Sequence, residues 1–169
     1  TVVQYCEAAR PATFVIGPGN HRRWEIMLNP GDSLAANYPD DELWPLLSRW
    51  VRPGEMRLWR SAAYRFHSLV ARQWRDRRVL LAGDSAHMTP PFMAQGMCQG
   101  MRDALNLGWK LERVLSGRST DALLDTYQAE RRPHVLTTTR TAIELGRVIC
   151  ERDPEKATAR DHRLREEQG

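Results

Sequence analysis

Cysteine is scarce in the sequence and long apolar runs are absent, and each shortage excludes a class of protein. Cys6, Cys98 and Cys150 lie far apart and form no Cys-x-x-Cys pair, which argues against a disulfide framework or a zinc site. The longest apolar run is only a few residues, around positions 79–82, too short for a membrane-spanning helix. No charged and apolar leader pattern follows Thr1. We therefore expect a cytoplasmic protein with no metal ion and no membrane partner.

Positive charge is in only slight excess, which gives weak support to a nucleic-acid partner. The formal net charge of the 169 residues is +4. The densest basic cluster, at 72–78, is interrupted by Asp76, so a solvated surface is favoured over an anion or partner site. Six tryptophans and a hydrophobic share of 41% exclude a disordered chain. Four tryptophans are expected to be core residues in preference to stacking platforms for bases: Trp24, Trp50, Trp59 and Trp109.

The first third of the chain has the alternation typical of strands. Residues 12–16 and 22–28 flank the glycine-rich turn 17–20, which predicts an antiparallel hairpin. Residues 40–51 predict a short helix, with acidic residues in its first turn and leucines on one face. Residues 55–66 predict another strand, in which Met56, Leu58, Ala62, Tyr64 and Phe66 share a face.

The second part of the chain predicts a buried strand, a loop and then helices. Residues 77–83 form a short apolar segment ending in Gly-Asp, which is typical of a strand buried on both faces. A long helix is predicted from Gly96 to about Leu115, and the next helix from about 121, kinked or restarted at 131–133 by proline. The tail after Cys150 predicts a solvated helix or a frayed end. The apolar stripe of the long helix is expected to be Ala104, Leu107, Leu111 and Val114.

The loop that follows the buried strand carries the residues with the most chemistry. The carboxylate of Asp84 could accept hydrogen bonds from vicinal hydroxyls such as those of ribitol, or could satisfy local amides as an Asx turn. Gly83 permits close approach of a backbone or ligand, and Pro91 stiffens the loop. The first amides of the long helix, near Met97, Cys98 and Gln99, lack intrahelical partners and form a donor cluster suited to an anionic edge.

Two other arrangements carry less weight. Asp84, Ser85 and His87 do not form a plausible Ser-His-Asp triad, since they are close neighbours in one loop without a nucleophile-elbow pattern. His87 is expected to be a structural hydrogen-bonding residue. Arg22 and Arg23 could bind a substrate carboxylate, but their alternation favours a solvated strand face.

Taken together, the loop and helix resemble a family motif. Residues 83–91 read Gly-Asp-Ser-Ala-His-Met-Thr-Pro-Pro, Gln95-Gly96 follow, and 102–111 read Arg-Asp-Ala-Leu-Asn-Leu-Gly-Trp-Lys-Leu. This series resembles the second flavin-binding motif of FAD-dependent aromatic hydroxylases with the p-hydroxybenzoate hydroxylase fold. The residues at 90–104 are most similar to the branch that hydroxylates 3-(3-hydroxyphenyl)propanoate. The stretches 10–13, 21–25 and 127–134 resemble the same branch, so that the resemblance covers roughly 4–150.

The resemblance implies a fold and a domain division. The fold class would be α/β, as an α+β fragment: part of an FAD/NAD(P)-binding Rossmann-like domain plus part of an antiparallel substrate-binding sheet. Residues 1–66 would belong to the substrate-binding sheet and 67–150 to the C-terminal part of the FAD-binding domain. Residues 151–169 would be a polar helical tail.

The resemblance also implies a cofactor site. Asp84 would bind the ribitol hydroxyls of FAD, Pro91 would line the flavin ring, and the backbone from Gln95 to Cys98 would hold the pyrimidine edge. The more general pattern has Gly where Met93 stands and often Asn where Cys98 stands, so an Asn contact to the flavin would be absent. No catalytic side chain is assigned. The implied cofactor-binding residues are Gly83, Asp84, Pro91, Ala94, Gln95, Gly96, Met97 and Cys98.

By the same resemblance, NAD(P)H and O2 would be co-substrates of FAD in the hydroxylation of a phenolic ring. The family also needs a Gly-x-Gly-x-x-Gly unit and an Asp-Gly motif, and neither occurs here. A missing N-terminal half of the same enzyme is therefore an expected partner, and homo-oligomerisation is left open. The alternative is a truncated, non-catalytic fragment that binds little FAD alone, while a nucleic-acid binder is the least favoured class.

Overall fold

The computed structural model describes residues 2–32 and 39–168, which form two compact units. One unit is Thr1–Arg65 with Val148–Gly169, and the other is Phe66–Arg147. None of the described helices is long and apolar enough to cross a membrane. The strands are β1 (Val2–Tyr5), β2 (Ala12–Ile16), β3 (Arg22–Ile26), β4 (Leu69–Val70), β5 (Arg75–Asp76), β6 (Val79–Leu80) and β7 (His87–Met88). The α-helices are α1 (Asp40–Leu47), α2 (Gly96–Leu115), α3 (Asp125–Ile149) and α4 (Pro154–Gln168).

The first unit contains the predicted hairpin, extended by one strand. β1, β2 and β3 pair antiparallel in that order, with Phe14 opposite Trp24 and their ring centroids 5.3 Å apart. The hairpin prediction is thus confirmed. Arg22 and Arg23 are exposed on the strand, and Arg23 forms an ion pair with Glu25, as expected for a solvated face.

The small core of the first unit lies between the sheet and α1. Leu43 and Leu47 are buried against Trp24, Ile26 and Leu28. The helix prediction for 40–51 was too long, since α1 ends at Leu47. The amides of the next residues fold back onto the carbonyl of Leu47 in a turn, and the helix does not continue.

The predicted strand at 55–66 was wrong, because the chain there has no regular strand. Met56 and Leu58 pack on the α1 core as expected, but Ala63 packs there instead of Ala62. The face therefore changes between 58 and 63, and Tyr64 is exposed. Alternation alone could not reveal this change, because a segment that is not held in a ladder does not need to keep one register.

The second unit is built around a core that contains a fully buried tryptophan. Trp74 and Tyr127 are both 0% exposed, with ring centroids 5.5 Å apart. The Trp74 indole N–H donates to the carbonyl of Ala71, and the Tyr127 hydroxyl donates to the carbonyl of Leu81. Both polar groups are thus paired inside an apolar core, which is the usual condition for burying these side chains.

The tryptophans named as core residues were assigned wrongly in two cases. Trp59 is 79% exposed and Trp109 is 48% exposed, whereas Trp24 and Trp50 are partly buried. Composition shows that aromatic residues are available for a core, but it does not show which of them the chain encloses.

The predicted strand at 77–83, buried on both faces, was also wrong. Only β6 is regular, and it pairs with β5 across a two-residue turn at Arg77 and Arg78. Val79 in this strand is 65% exposed. An apolar strand is buried on both faces only if other elements pack on each face. The described residues pack on only part of the segment 77–83.

Helix α2 has the predicted bounds but buries an unexpected face. Leu107 is buried and Leu111 and Val114 pack on the core, whereas Ala104 is exposed. The expected place of Ala104 in the stripe is therefore wrong, and its neighbour Asp103 is buried instead. Ion pairs and hydrogen bonds hold this polar face inside, and hydrophobic periodicity does not detect such a face. The fully buried polar side chains of α2 are Gln99, Asp103 and Lys110.

Helix α3 continues through Pro133, so the expected restart is wrong, while the alternative of a kink stays a prediction. Tyr127 and Val135, on either side of the proline, are both fully buried. Their packing compensates for the hydrogen bond that a helical proline removes. The tail forms α4, a mostly solvated helix as predicted, and Arg160 anchors it by donating to the carbonyls of Val148 and Cys6.

Candidate functional site

The Gly-Asp sequence forms a tight 3₁₀ turn, Gly83–Ser85, after β6. Gly83 has φ +57°, a conformation in which glycine is favoured. A Cβ built on Gly83 would lie 3.7 Å from the Cα of Gly100 in α2, so the turn packs closely against the start of that helix. The expected close approach at Gly83 is therefore an approach of backbone to backbone.

Asp84, the second residue of the turn, is exposed. Within 2–32 and 39–168, the local amides pair with other acceptors: the amide of Ala86 donates to the carbonyl of Gly83, and that of Ala82 to the hydroxyl of Ser85. This pattern speaks against the Asx-turn alternative. Asp84 is therefore exposed beside a turn that does not use its carboxylate as an acceptor.

The proline loop leads from β7 to α2 through a second 3₁₀ turn, Pro91–Met93. Ala94 ends this turn with φ +51°, a left-handed backbone that glycine would adopt more easily than alanine. The ring of Phe92 lies edge-on to Phe66 at 5.4 Å and fills the space beside Gly146 of α3. The loop therefore has a defined backbone path, as its two prolines predict.

Helix α2 begins directly after this loop. The amide of Gln99 donates to the carbonyl of Gln95, which closes the first turn of helical bonding, so the expectation that this amide lacks a partner was wrong. The amides of Gly96, Met97 and Cys98 precede it and form the donor cluster expected at a helix start. The Gln95 side chain is held between the carbonyl of Met93 and the guanidinium of Arg102.

Beneath the turn and the helix start lies a buried polar network centred on Asp103. Its carboxylate accepts hydrogen bonds from the Gly83 amide at 3.0 Å, from His87 Nε2 at 2.7 Å and from Arg131 Nε at 2.8 Å. Arg131 Nη2 also donates to Gln99 Oε1 at 2.7 Å. The four network side chains are 0% to 7% exposed. These bonds join the Gly83 turn and His87 to α2.

Sequence reasoning did not assign a role to the side chain of Arg131 or of Gln99. A usable signal was present, because Gln99 and Asp103 fall two turns and one turn before Leu107, on the face that carries the apolar stripe. A polar side chain on a buried face needs a partner, and Arg131 on the following helix is the one that the structure brings to it.

A second polar cluster joins α2 to α3 further along. Glu130 accepts a hydrogen bond from Asn106 at 2.7 Å and pairs with Lys110 at 2.8 Å. These partners, Asn106 first, lower the pKa of the Glu130 carboxyl from 4.5 to about 2. The ammonium of Lys110 is fully buried, so Glu130 supplies the charge that compensates it.

The histidines of this region have no arrangement suited to nucleophilic catalysis. His87 is bound to Asp103, and the hydroxyl of Ser85 donates to the carbonyl of Ala82, so the rejected triad is not formed. Burial, followed by the charges of Arg131 and Arg102, lowers the pKa of His134 from its ordinary 6.5. Within the part of the chain described, no group of three or more His, Cys, Asp or Glu side chains could hold a metal ion.

A comparison with known families assigns the chain that contains this turn, loop and helix to a family. The sequence model of the FAD binding domain family matches residues 8–142. The chain belongs to this family. The helices and small antiparallel sheets are thus an α/β fragment of a flavin-dependent hydroxylase fold, and the predicted resemblance to aromatic hydroxylases is confirmed.

Two relatives and one solved structure are also similar to this chain. The chain is 48% identical to a probable NADH-specific resorcinol 4-hydroxylase of Rhodococcus jostii (strain RHA1), over 97% of this chain and 31% of that protein. It is 38% identical to a 3-(3-hydroxy-phenyl)propionate/3-hydroxycinnamic acid hydroxylase of Escherichia coli (strain K12 / DH10B), over 92% of this chain and 28% of that protein. CabE, an aromatic hydroxylase from angucycline biosynthesis, matches with a TM-score of 0.72 and 28% identity, over 94% of this chain and 34% of that one.

The chain therefore spans about a third or less of the length of the relatives it matches. The activity of a whole hydroxylase needs more residues than these, so substrate and reaction are proposals here. The boundaries of the functional domains, at 66 and 150, also stay a prediction.

Proposed function

We propose that this chain forms the flavin-ring and ribityl side of the FAD site in a hydroxylase of phenolic rings. One observation carries the proposal. The exposed carboxylate of Asp84 and the free amides at the start of α2 lie on two elements that touch at Gly83 and Gly100. A hydroxyl-binding carboxylate and an anion-binding helix start are thus close together in one unit.

The residues present fit FAD. Asp84 would accept hydrogen bonds from the ribityl hydroxyls, and the amides of Gly96, Met97 and Cys98 would face the electron-rich pyrimidine edge. Pro91 would hold the loop beside the ring, and Gln95 is oriented by Arg102 at the same helix start. Ala94 and Gly83 would contribute backbone alone. The contacts through Met97 and Cys98 are backbone contacts, so the departures from the family pattern do not remove them.

When bound, FAD supplies the redox chemistry that couples NADH and O2 to ring hydroxylation. The chain's own contribution is binding and orientation. The helix start stabilises negative charge by up to about 2 kcal/mol where it is partly buried. Cys98 and Gly96 at that helix start are partly buried, which reduces screening by water.

For the whole protein, we propose NADH as electron donor and a phenol with a substituent meta to its hydroxyl as substrate. The names of the two curated relatives share that ring chemistry, and one of them specifies NADH. The reducing cytoplasm is the proposed compartment, because the three cysteines are free thiols.

This proposal is tested in protein that includes any residues the gene encodes outside 1–169. Resorcinol and 3-(3-hydroxyphenyl)propanoate are each expected to accelerate NADH oxidation with formation of a hydroxylated product. Benzoate, which has no hydroxyl, serves as the control. The proposal fails if neither phenol changes the rate above the rate with benzoate.

A second candidate function is a docking piece that binds little FAD alone, and a specific surface favours it. Four apolar side chains at successive turns of α2 are 48% to 75% exposed: Met97, Met101, Leu105 and Trp109. We propose that this α2 face packs against the part of a hydroxylase that the relatives have and this chain lacks. The occupant follows from length, because about 70% of each relative is unmatched.

Flavin fluorescence titration of the isolated 169 residues separates the two candidates. Little binding by the isolated chain, restored when the complementary part of the Rhodococcus relative is added, would support a docking piece. Sub-micromolar binding by the isolated chain would refute it and would show that these residues hold FAD without help.

A further inference from the structure

Asp103 is a buried carboxylate to which the proposed chemistry assigns no contact with FAD. It is 0% exposed and accepts three hydrogen bonds from three different elements. Oδ2 receives the Gly83 amide and His87 Nε2, while Oδ1 receives Arg131 Nε. The Arg131 guanidinium offsets the carboxylate charge, so the burial is electrostatically tolerable.

The Gly83 bond is the one that reaches the candidate cofactor site. The Gly83 amide lies in a left-handed turn that glycine adopts readily, and its bond to Asp103 ties this turn to α2. This bond is charge-assisted, and such a bond is stronger than a bond between neutral groups. The next residue in the turn is Asp84, whose carboxylate would meet the ribityl hydroxyls.

Arg131 extends the same network to the other half of the site. Its Nη2 donates to Gln99 Oε1 at 2.7 Å, and Gln99 is in the first hydrogen-bonded turn of α2. The amides of 96–98 belong to that turn. A chain of buried bonds from Gly83 through Asp103 and Arg131 to Gln99 therefore links the turn to the helix start.

We propose that Asp103 is a positioning residue for FAD: with Arg131, it fixes the Gly83–Asp84 turn relative to the amides of 96–98. This inference rests on the proposed function. It adds that the spacing between the hydroxyl-binding carboxylate and the anion-binding helix start is set by a buried carboxylate that touches neither the cofactor nor the substrate.

The test uses Asp103→Asn in protein that includes any residues encoded outside 1–169. Asparagine has the same shape, but one of its two terminal atoms is an N–H donor. This donor would face either the Arg131 guanidinium or the Gly83 amide, and both of these groups are donors themselves. We expect the FAD dissociation constant to rise about 10- to 100-fold, as for loss of a buried charged hydrogen bond. In the protein without FAD, the Gly83 amide is expected to exchange about tenfold faster or more, followed by mass spectrometry with fragmentation across 79–86.

Glu130→Gln is the matched control. Glu130 compensates a buried charge between the same two helices, through Asn106 and Lys110, but it makes no contact with the turn. A loss of stability is expected, because Lys110 stays buried without its counter-charge, with FAD affinity within about twofold of wild type. If both variants weaken FAD binding equally, Asp103 acts only through stability and the positioning role is refuted.

The two readouts separate this inference from the proposed function. If wild-type protein binds no FAD, the proposed function fails, while faster Gly83 exchange in Asp103→Asn would still show that Asp103 holds the turn. If wild type binds FAD and Asp103→Asn binds it equally well, the positioning role is wrong. Should Asp103→Asn fail to fold, Arg131→Lys decides, since lysine keeps the charge but loses the fork to Gln99. Unchanged FAD affinity in that variant overturns the proposal, and a loss of affinity supports it.

Discussion

Gly146 is a residue at which the absence of a side chain matters. A Cβ at this position would lie 2.3 Å from Cε2 of Phe92, whose ring occupies the space. Phe92 directly follows Pro91, the residue proposed to lie beside the flavin ring. The glycine in α3 thus makes room for the loop that the candidate site needs, although glycine weakens a helix interior.

Gly146→Ala is therefore expected to lower the free energy of unfolding by about 1–2 kcal/mol, because the Phe92 ring must move out of its packing. Urea unfolding of the 169-residue chain measures this change. Gly108→Ala is the matched control: it is also helical, but nothing lies within 4 Å of its built Cβ. That variant is expected to gain about 0.5–1 kcal/mol from helix propensity. Equal effects of both substitutions would contradict the packing argument.

Helices α2 and α3 are joined by a polar seam as well as by apolar packing. Asp103 and Arg131 form one part of the seam, and Asn106, Lys110 and Glu130 form the other. Such a seam specifies one register of the two helices, because a shift by a turn would leave buried charges without partners.

The Glu130 pair predicts a pH dependence. The folded-state pKa of Glu130 is lowered from 4.5 to about 2, so the pair stabilises the fold above pH 4.5 and loses this contribution as the pH falls towards 2. The effect is modest, because 48% of the Glu130 side chain is exposed to screening by water. Between about pH 5 and pH 3, the urea concentration at the unfolding midpoint is expected to fall further for wild type than for Glu130→Gln. Parallel midpoints over this range would show that the pair contributes no stability.

Element by element, the sequence allowed good prediction where a pattern is local. The bounds of α2 follow from its periodicity and from Gly117, and the first hairpin follows from its turn residues. The prediction of a strand at 77–83 buried on both faces was wrong, because the described residues cover only part of its apolar surface. The prediction that Ala104 belongs to the buried stripe of α2 was also wrong. Asp103 lies on the buried face, and its burial depends on Arg131 in another helix. Tertiary partners of this kind are not visible in a single segment.

For the candidate site, the residues that the motif names stay a prediction, and the structure adds how they are held. Sequence alone named Gly83, Asp84 and the residues at the start of α2. It did not predict that the turn and the helix share one buried network through Arg131. That information depends on how α3 packs, and helical periodicity does not specify the partner of each side chain.

At the scale of the whole molecule, the exposed α2 face is the observation that most favours packing against further parts of a hydroxylase. Leu105 is 75% exposed, and a row of apolar side chains on one helix is unusual on a finished surface. The same interpretation explains the exposed Val79 in β6, which the sequence marks as a core residue. Both features are expected if further parts of a hydroxylase pack against this unit.

Leu105→Gln tests that interpretation. The substitution is expected to leave the melting temperature of the 169-residue chain unchanged, since the side chain has few partners there. It is expected to weaken capture by the tagged complementary part of the Rhodococcus relative about tenfold, as for loss of an interface leucine. Leu115→Gln, at the far end of α2 and 79% exposed, is the control. Undiminished capture by the Leu105 variant would contradict the docking surface.

The central claim is that Asp84 and the start of α2 hold the flavin, and one titration tests it most directly. FAD is titrated by fluorescence into wild type, Asp84→Ala and Asp76→Ala, each with any residues encoded outside 1–169. Asp76 is also an exposed aspartate of the same unit, but it lies in β5. The account predicts that Asp84→Ala weakens FAD binding about tenfold or more and that Asp76→Ala leaves it unchanged. Equal affinities for all three proteins, or no binding by any, would contradict it.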